Sequence, residues 1–209
     1  VPTGLLIFWW RQQQQANHHV ASISYVDETR IITTDSLVLY PDGSHDSRKP
    51  QAVAGFGFTG IRGGNGDDDA EAYVVVANGG PVVLDPGSPV FLGALKHTNN
   101  TGELTALIEA MLWALRCDTR TDTGVLLRPD SELVIGWTIG DIQADTNQDL
   151  VATARRCYAE LLEQRHGRVY WQRVPGHSKH IHNDHADALA KFGATTSMWT
   201  AVVDRKEWC

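Results

Sequence analysis

The spacing of the apolar residues changes once along this chain, near Thr98, and that change limits the fold more than any other feature. Before it, apolar residues come in short β-type runs: Leu37-Val38-Leu39-Tyr40, the Gly- and Phe-rich stretch from Ala52 to Thr59, and Tyr73-Val74-Val75-Val76. Short alternating runs bounded by Gly, Pro, Asn and Asp are the mark of half-buried strands. Pro41-Asp42-Gly43-Ser44 reads as a turn closing the first run, and Asn78-Gly79-Gly80 as a hairpin turn after the third, with Val82-Val83-Leu84 or Val90 to Ala94 pairing back. The first half is thus expected to form a three-stranded antiparallel meander. After Thr98 the spacing is helical. Glu103 to Leu115 predicts a helix with Thr98, Asn99 or Asn100 as N-cap. A strand from Gly124 to Leu127, helices over Ser131–Ile139 and Asn147–Gln164, a strand over Val169–Val174 and a helix over Asn183–Phe192 follow. The order β-β-β-α-β-α-α-β-α predicts an α/β fold: a mixed five-stranded sheet, three antiparallel strands then two further strands, flanked by helices.

Composition narrows the class. The hydrophobic fraction of 42% suits a chain that buries a core. No run approaches the roughly 18 apolar residues of a membrane span, and the apolar opening Val1 to Trp10 has neither a basic leader nor a small-residue cleavage site, so no secretory signal is expected. Cys117, Cys157 and Cys209 fit neither a disulfide framework nor a zinc site, which favours a reducing compartment, cytoplasmic or nuclear. Residues 1–35, with the run Gln12 to Gln15, read as an appendage or linker; residues 36–194 carry the organised pattern; residues 195–209 read as a tail. The net charge is −7, from 18 Lys and Arg against 25 Asp and Glu. That balance argues against a protein that grips nucleic acid by charge alone, and leaves cations such as Arg128, Lys179 and Lys191 to meet phosphates. Carboxylates that hold cations, however, are offset once the cations bind.

Four acids stand out by their settings. Asp42 closes the first strand, Glu103 is expected in the first turn of the first long helix, Asp130 closes the fourth strand, and Asp187 is expected in the first turns of the last helix. Singly, each has a plain structural reading: Asp42 a turn initiator, Glu103 an acid favoured by the helix dipole, Asp130 an N-cap, Asp187 a solvated residue. Gathered together they would repel one another, and a cation is the simplest remedy. Oxygen-only donors point to Mg²⁺ or Mn²⁺, not zinc.

The surrounding motifs resemble those of the type 1 ribonuclease H family, especially its retroelement domains, over roughly residues 36–194. A strand ends in Asp42-Gly43-Ser44. Thr98-Asn99-Asn100 precedes Glu103-Leu104-Thr105-Ala106. A strand ends in Asp130-Ser131. Val174-Pro175-Gly176-His177 precedes Asn183-Asp184-His185-Ala186-Asp187-Ala188-Leu189-Ala190. The resemblance implies a ribonuclease H-like fold and an endonuclease that cuts the RNA strand of an RNA–DNA hybrid, leaving 5′-phosphate and 3′-hydroxyl ends. It implies two Mg²⁺ ions, with Mn²⁺ as substitute, held by Asp42, Glu103, Asp130 and Asp187. Asp184, one turn before Asp187, competes for the fourth place, but the spacing to Leu189-Ala190 selects Asp187. His177 is implied as the residue that helps activate water or release product. Gly43, Ser44, Thr98, Asn99, Asn100 and Ser131 are implied as nucleic-acid contacts, the Thr-Asn-Asn run engaging the 2′-hydroxyl that separates RNA from DNA. A reverse transcriptase module in the same polyprotein is the partner that the retroelement likeness suggests.

The sequence departs from the family in three places. The basic, Trp-containing protrusion of many members is absent, since Ile139-Gly140-Asp141-Ile142-Gln143-Ala144-Asp145 is short and acidic, and Trp137 does not align with the protrusion's Trp. Glu132 stands two residues after Asp130, where a neutral residue is common. No small hybrid-binding domain is legible in residues 1–35. His180, His182 and His185 form a second grouping that could take adventitious zinc or nickel. Two other classes compete: a transposase or 3′–5′ exonuclease on a similar sheet, which would not pair Thr-Asn-Asn-x-x-Glu-Leu with a Gly-His loop, and a non-catalytic domain, for which four clustered acids have no purpose.

Overall fold

The computed structural model describes residues 32–49, 51–64, 72–175 and 180–200. Among these the elements run β1 (Leu37–Ser44), β2 (Gly55–Arg62), β3 (Tyr73–Pro81), α1 (Asn99–Arg116), β4 (Val125–Leu127), α2 (Glu132–Ile139), α3 (Gln148–Gln164), β5 (Val169–Trp171) and α4 (Ile181–Thr196). The strands form one sheet in the order β3-β2-β1-β4-β5. β1, β2 and β3 pair antiparallel, whereas β4 pairs parallel with both β1 and β5. The expected α/β fold with a mixed five-stranded sheet is therefore the observed one.

Side chains alternate across the sheet. Leu37 and Leu39 of β1 enter the main core with Phe56, Phe58, Leu104, Leu107, Met111 and Leu161, between the sheet and helices α1 and α3. Val38 and Tyr40 turn to the opposite face and join a smaller cluster with Ile61, Leu126, Val174 and Ala186, beneath α4. At the end of the sheet remote from Ser44, Arg62 donates to both oxygens of Asp118 at 2.7 Å, and Arg165 donates to the same carboxylate at 2.9 Å. All three are buried. Such a pair of guanidiniums on one acid pins β2 to the far ends of α1 and α3, and removing the acid would leave buried charge uncompensated.

The local structure differs from the sequence expectation in several places. Pro41-Asp42-Gly43-Ser44 is not a turn but the last part of β1, paired with Phe58, Gly57, Phe56 and Gly55. Proline is tolerated there because odd-numbered residues of β1 face β4, and the parallel ladder stops at the bond from the Arg128 amide to the Leu39 carbonyl, 2.8 Å. Asn78-Gly79-Gly80 is not a hairpin turn either. It continues β3, pairing with Phe58, Gly57 and Phe56, and neither Val82–Leu84 nor Val90–Ala94 forms a strand. Glycine serves close packing here: a Cβ on Gly79 would lie 2.9 Å from the Leu189 Cβ of α4. The chain after α4 returns to the sheet. Trp199 packs edge-on to Phe56 with centroids 5.3 Å apart, and Thr200 exchanges hydrogen bonds of 2.8 Å with Gly79. No helix among the described residues is long and apolar enough to cross a membrane.

Candidate active site

Four acids from four elements face one cleft of about 240 Å³ at the Ser44 end of β1. Asp42 comes from β1, Glu103 from α1, Asp130 from the turn after β4 and Asp187 from α4. Gly43, Ser44, His45, Asn99, Asn183, Asp184 and Lys191 complete the lining.

Glu103 reaches Asp42 because two glycines let helix and strand touch. A Cβ on Gly43 would fall 2.2 Å from the Glu103 amide nitrogen, inside any permitted contact. α1 is started by Thr98, whose hydroxyl accepts from the Thr101 amide at 3.2 Å while Thr101 Oγ1 accepts from the Thr98 amide at 2.9 Å. This reciprocal cap satisfies two end donors. Because the helix begins at Asn99, Glu103 lies in its second turn rather than the expected first, whereas Asp187 sits in the second turn of α4, within the first turns expected for it. Asp184 occupies the first turn of α4, as expected, but it also lines the cleft. Ser131, not Asp130, caps α2, accepting from the Val134 amide at 3.4 Å. The cap thus falls to the serine, and Asp130 lines the cleft. Arg173 holds the main chain there, donating to the Asp130 carbonyl at 2.9 Å and to Glu132 at 2.7 Å.

The acids are strained electrostatically. Burial pushes the Asp42 carboxyl up to about 8, with further contributions from Asp130, Asp187 and Glu103, against an ordinary value of 3.8. Burial pushes Glu103 up to about 7, opposed by a hydrogen bond from Ser131, raised further by Asp130, and opposed by Asn99. The other Glu103 oxygen, Oε2, is buried with no hydrogen-bond partner among the described residues. Neutral and cationic side chains take part of the charge: Asn183 donates to Asp42 Oδ2 at 3.3 Å, Asn99 donates to Glu103 Oε1, and Lys191 Nζ lies 2.5 Å from Asp187 Oδ2. Among the described residues no three His, Cys, Asp or Glu side chains are drawn close enough to hold a metal ion as they stand. The donor set nonetheless fits a hard divalent cation. It is all oxygen, burial and then the neighbouring carboxylates raise two of its acids well above their ordinary range, and it includes a buried oxygen lacking a partner among the described residues.

Of the nucleic-acid contacts expected from sequence, Gly43, Ser44 and Asn99 line the cleft, while Thr98 and Ser131 are engaged as helix caps. Asn100 lies in the first turn of α1 and does not line the cleft. His177 lies outside the described residues, as does Lys179. Arg128, expected as a surface cation, is buried and donates to the Tyr40 hydroxyl at 2.9 Å. His180 and His182 pack against the Tyr40 ring, and His185 meets Thr59 at 3.3 Å, so the expected histidine grouping is divided between two structural contacts. Sequence reasoning did not single out His45, quoted Asn183 only within a motif, and read Lys191 as a cation for phosphates rather than as a partner of Asp187. Asn183 and Lys191 each lie four residues from Asp187 in opposite directions, which puts all three on one face of α4.

Comparison with known proteins agrees with this architecture. The ribonuclease H family model matches residues 34–195. The chain is 28% identical over 170 residues to a ribonuclease H of Thiobacillus denitrificans, with 78% of this chain and 95% of that protein covered. It is 28% identical over 174 residues to ribonuclease H1 of Mus musculus, where the match takes in 78% of this chain but spans only about half, 52%, of the mouse protein. The crystal structure of RNase H1 from Halobacterium salinarum superposes with a TM-score of 0.50 at 25% identity, over 76% of this chain and 96% of that one. With a family model that takes in most of its length, and with the sheet order and helices just described, this chain belongs to the ribonuclease H family.

Proposed function

We propose that the chain is a divalent-metal-dependent endonuclease that hydrolyses the RNA strand of an RNA–DNA hybrid, leaving 5′-phosphate and 3′-hydroxyl ends, with residues 36–194 as the catalytic unit. The observation that carries this reading is the convergence of Asp42, Glu103, Asp130 and Asp187 on one cleft in a member of this family. These four would hold two Mg²⁺ ions, with Mn²⁺ as substitute. When bound, such ions supply the positive charge that stabilises both the attacking and the leaving oxygen of a phosphodiester displacement.

The chain's own residues do the rest. Asn183 and Asn99 orient Asp42 and Glu103 by donating to one oxygen of each. Gly43 and Ser44 line the cleft in which a sugar–phosphate backbone would lie. Asn99 and Asn100 offer amide groups to the 2′-hydroxyl, the group by which RNA is told from DNA. His177 moves a proton near neutral pH, to the attacking water or from the departing product. The net charge of −7 supports a neighbouring module, such as a reverse transcriptase, that would raise the local substrate concentration. The three scattered cysteines, Cys117, Cys157 and Cys209, match no disulfide framework in sequence, which supports a cytoplasmic or nuclear setting.

The test is incubation with a labelled RNA–DNA hybrid, duplex DNA and duplex RNA, with Mg²⁺ and with chelator. Cleavage confined to the RNA of the hybrid, dependent on Mg²⁺ and lost in Asp130→Asn, is expected. Equal turnover by Asp130→Asn, or cleavage in chelator, would overturn the reading.

A further inference from the structure

We infer that Tyr40, Arg128 and His180 form a buried strut that fixes the spacing of the three elements bearing Asp42, Asp130 and Asp187. The inference rests on the proposed reading of those acids as metal ligands, and it assigns positioning residues rather than catalytic ones.

The need for such a strut follows from the backbone. β1 and β4 are tied by the Leu37 amide to the Gly124 carbonyl, 2.9 Å, and by the Arg128 amide to the Leu39 carbonyl, 2.8 Å. The next donor of this parallel ladder would be the amide of residue 41, and Pro41 has none. Main-chain pairing between β1 and β4 therefore stops at Leu39 and Arg128, three residues short of Asp42 and two short of Asp130. Beyond that point two carboxylates that repel each other have no ladder to hold them in register.

Side chains take over where the ladder ends. Tyr40 and Arg128 each precede an acid by two residues, and within β1 that spacing places Tyr40 and Asp42 on one strand face. Arg128 Nη1 donates to Tyr40 Oη at 2.9 Å, and His180 Nε2 lies 3.4 Å from both Tyr40 Oη and Arg128 Nη1. A guanidinium cannot accept, so His180 Nε2 is the acceptor and the tyrosine hydroxyl passes the chain of hydrogen bonds from β4 to α4. The Arg128 Cζ sits 5.3 Å from the Tyr40 ring centroid, and the His180 ring centroid 4.8 Å from it. Tyr40 is fully buried and Arg128 nearly so. His180 is the N-cap of α4, and its carbonyl accepts from the Asp184 amide at 2.8 Å, so its position sets the start of the helix that carries Asn183 and Asp187. Apolar side chains of similar volume would hold a core equally well. What they lack is direction, and direction is what separated acids require.

Tyr40→Phe removes one hydroxyl and keeps the ring. Calorimetric titration of the substrate-free protein with Mn²⁺ should show dissociation constants raised about 10-fold or more, the usual penalty for losing a group that orients metal ligands. Half-saturating Mg²⁺ for hybrid cleavage should rise in step, while KM for the hybrid stays within about two-fold. Arg128→Lys, which retains charge but not the fork, should behave likewise. Val151→Ala in α3, remote from the site, serves as the control for lost stability: its thermal midpoint falls while its Mn²⁺ affinity stays that of the wild type. A Tyr40→Phe protein with wild-type Mn²⁺ affinity and a lowered thermal midpoint would overturn the strut, leaving only packing. Wild-type protein that neither binds Mn²⁺ nor cleaves the hybrid would instead overturn the functional reading on which the strut rests.

Discussion

Lys191 Nζ lies 2.5 Å from Asp187 Oδ2, one helical turn along α4, and both side chains line the acidic cleft. The hydrogen bond to Asp187 raises the Lys191 amine above its ordinary range, helped by the charges of Asp187, Asp42 and Asp184. The ammonium would therefore compete for Asp187 with a divalent ion held as proposed above. Lys191→Met should release Asp187 and lower half-saturating Mn²⁺ by about two-fold, the strength of an exposed i,i+4 ion pair. Weaker Mn²⁺ binding by this variant would show that the lysine assists the site rather than competing for it.

Asp42 makes the metal-free protein sensitive to pH in an unusual direction. Its carboxyl titrates near 8 in the fold and near 3.8 when unfolded. Between those values the folded protein holds more protons than the unfolded chain, so stability is full below about pH 4 and falls as pH rises towards 8. Glu103, pushed up to about 7, adds to the same slope. In chelator, Asp42→Asn should be more stable than wild type by at least about 1 kcal/mol at pH 8, with the gap closing towards pH 4. Urea unfolding at several pH values measures this. A gap that widens in acid would remove the electrostatic account, and cleavage should be lost throughout.

Gly43→Ala tests the close approach of α1 to β1. The added methyl would meet the Glu103 amide at 2.2 Å, and main chain cannot swing aside as a side chain can. A loss of about 1–3 kcal/mol in stability is expected, together with loss of activity as Glu103 is displaced. Ser44→Ala, its neighbour, should leave the thermal midpoint unchanged. Equal midpoints for the two variants would contradict the packing.

His177→Ala should lower kcat by roughly 10- to 10⁴-fold, the range for a group that moves a proton. Apparent affinity for the hybrid should not change. Single-turnover kinetics separates the two, and a defect confined to binding would exclude the proton-handling role.

Substrate should be held weakly and with a shallow salt dependence. Each phosphate neutralised by Lys or Arg steepens the slope of affinity against salt, and the net charge is −7. With Arg128 buried against Tyr40 and Lys191 paired with Asp187, fewer cations remain for phosphates than the sequence suggested. Binding isotherms of Asp130→Asn on a hybrid at several salt concentrations decide the matter, and a steep slope with nanomolar affinity would show a surface that grips on its own.

The sheet, the helices and the four acids were legible because each rests on a local signal: a change of apolar period, a cap, an acid at a strand end. What was not legible is where one residue type serves two purposes. Asp42-Gly43-Ser44 and Asn78-Gly79-Gly80 carry turn chemistry, yet both are strand, because their glycines admit α1 and α4 at close range. Arg128 looked like a surface cation because nothing in its neighbours along the chain reveals Tyr40 and His180. Asn183 was quoted only as part of a motif, and its bond to Asp42 spans 141 residues of sequence.

The seam between Thr200 and Gly79 has a consequence for how molecules meet one another. Among the described residues β3 ends the sheet, and an end strand with open amides and carbonyls invites a strand from a second molecule. At Gly79 both main-chain groups are already taken, by the hydroxyl and the amide of Thr200, while Trp199 stands against Phe56 beside them. The stretch that follows α4 thereby guards this border at Gly79, where a strand from a second molecule would otherwise find an open amide and carbonyl.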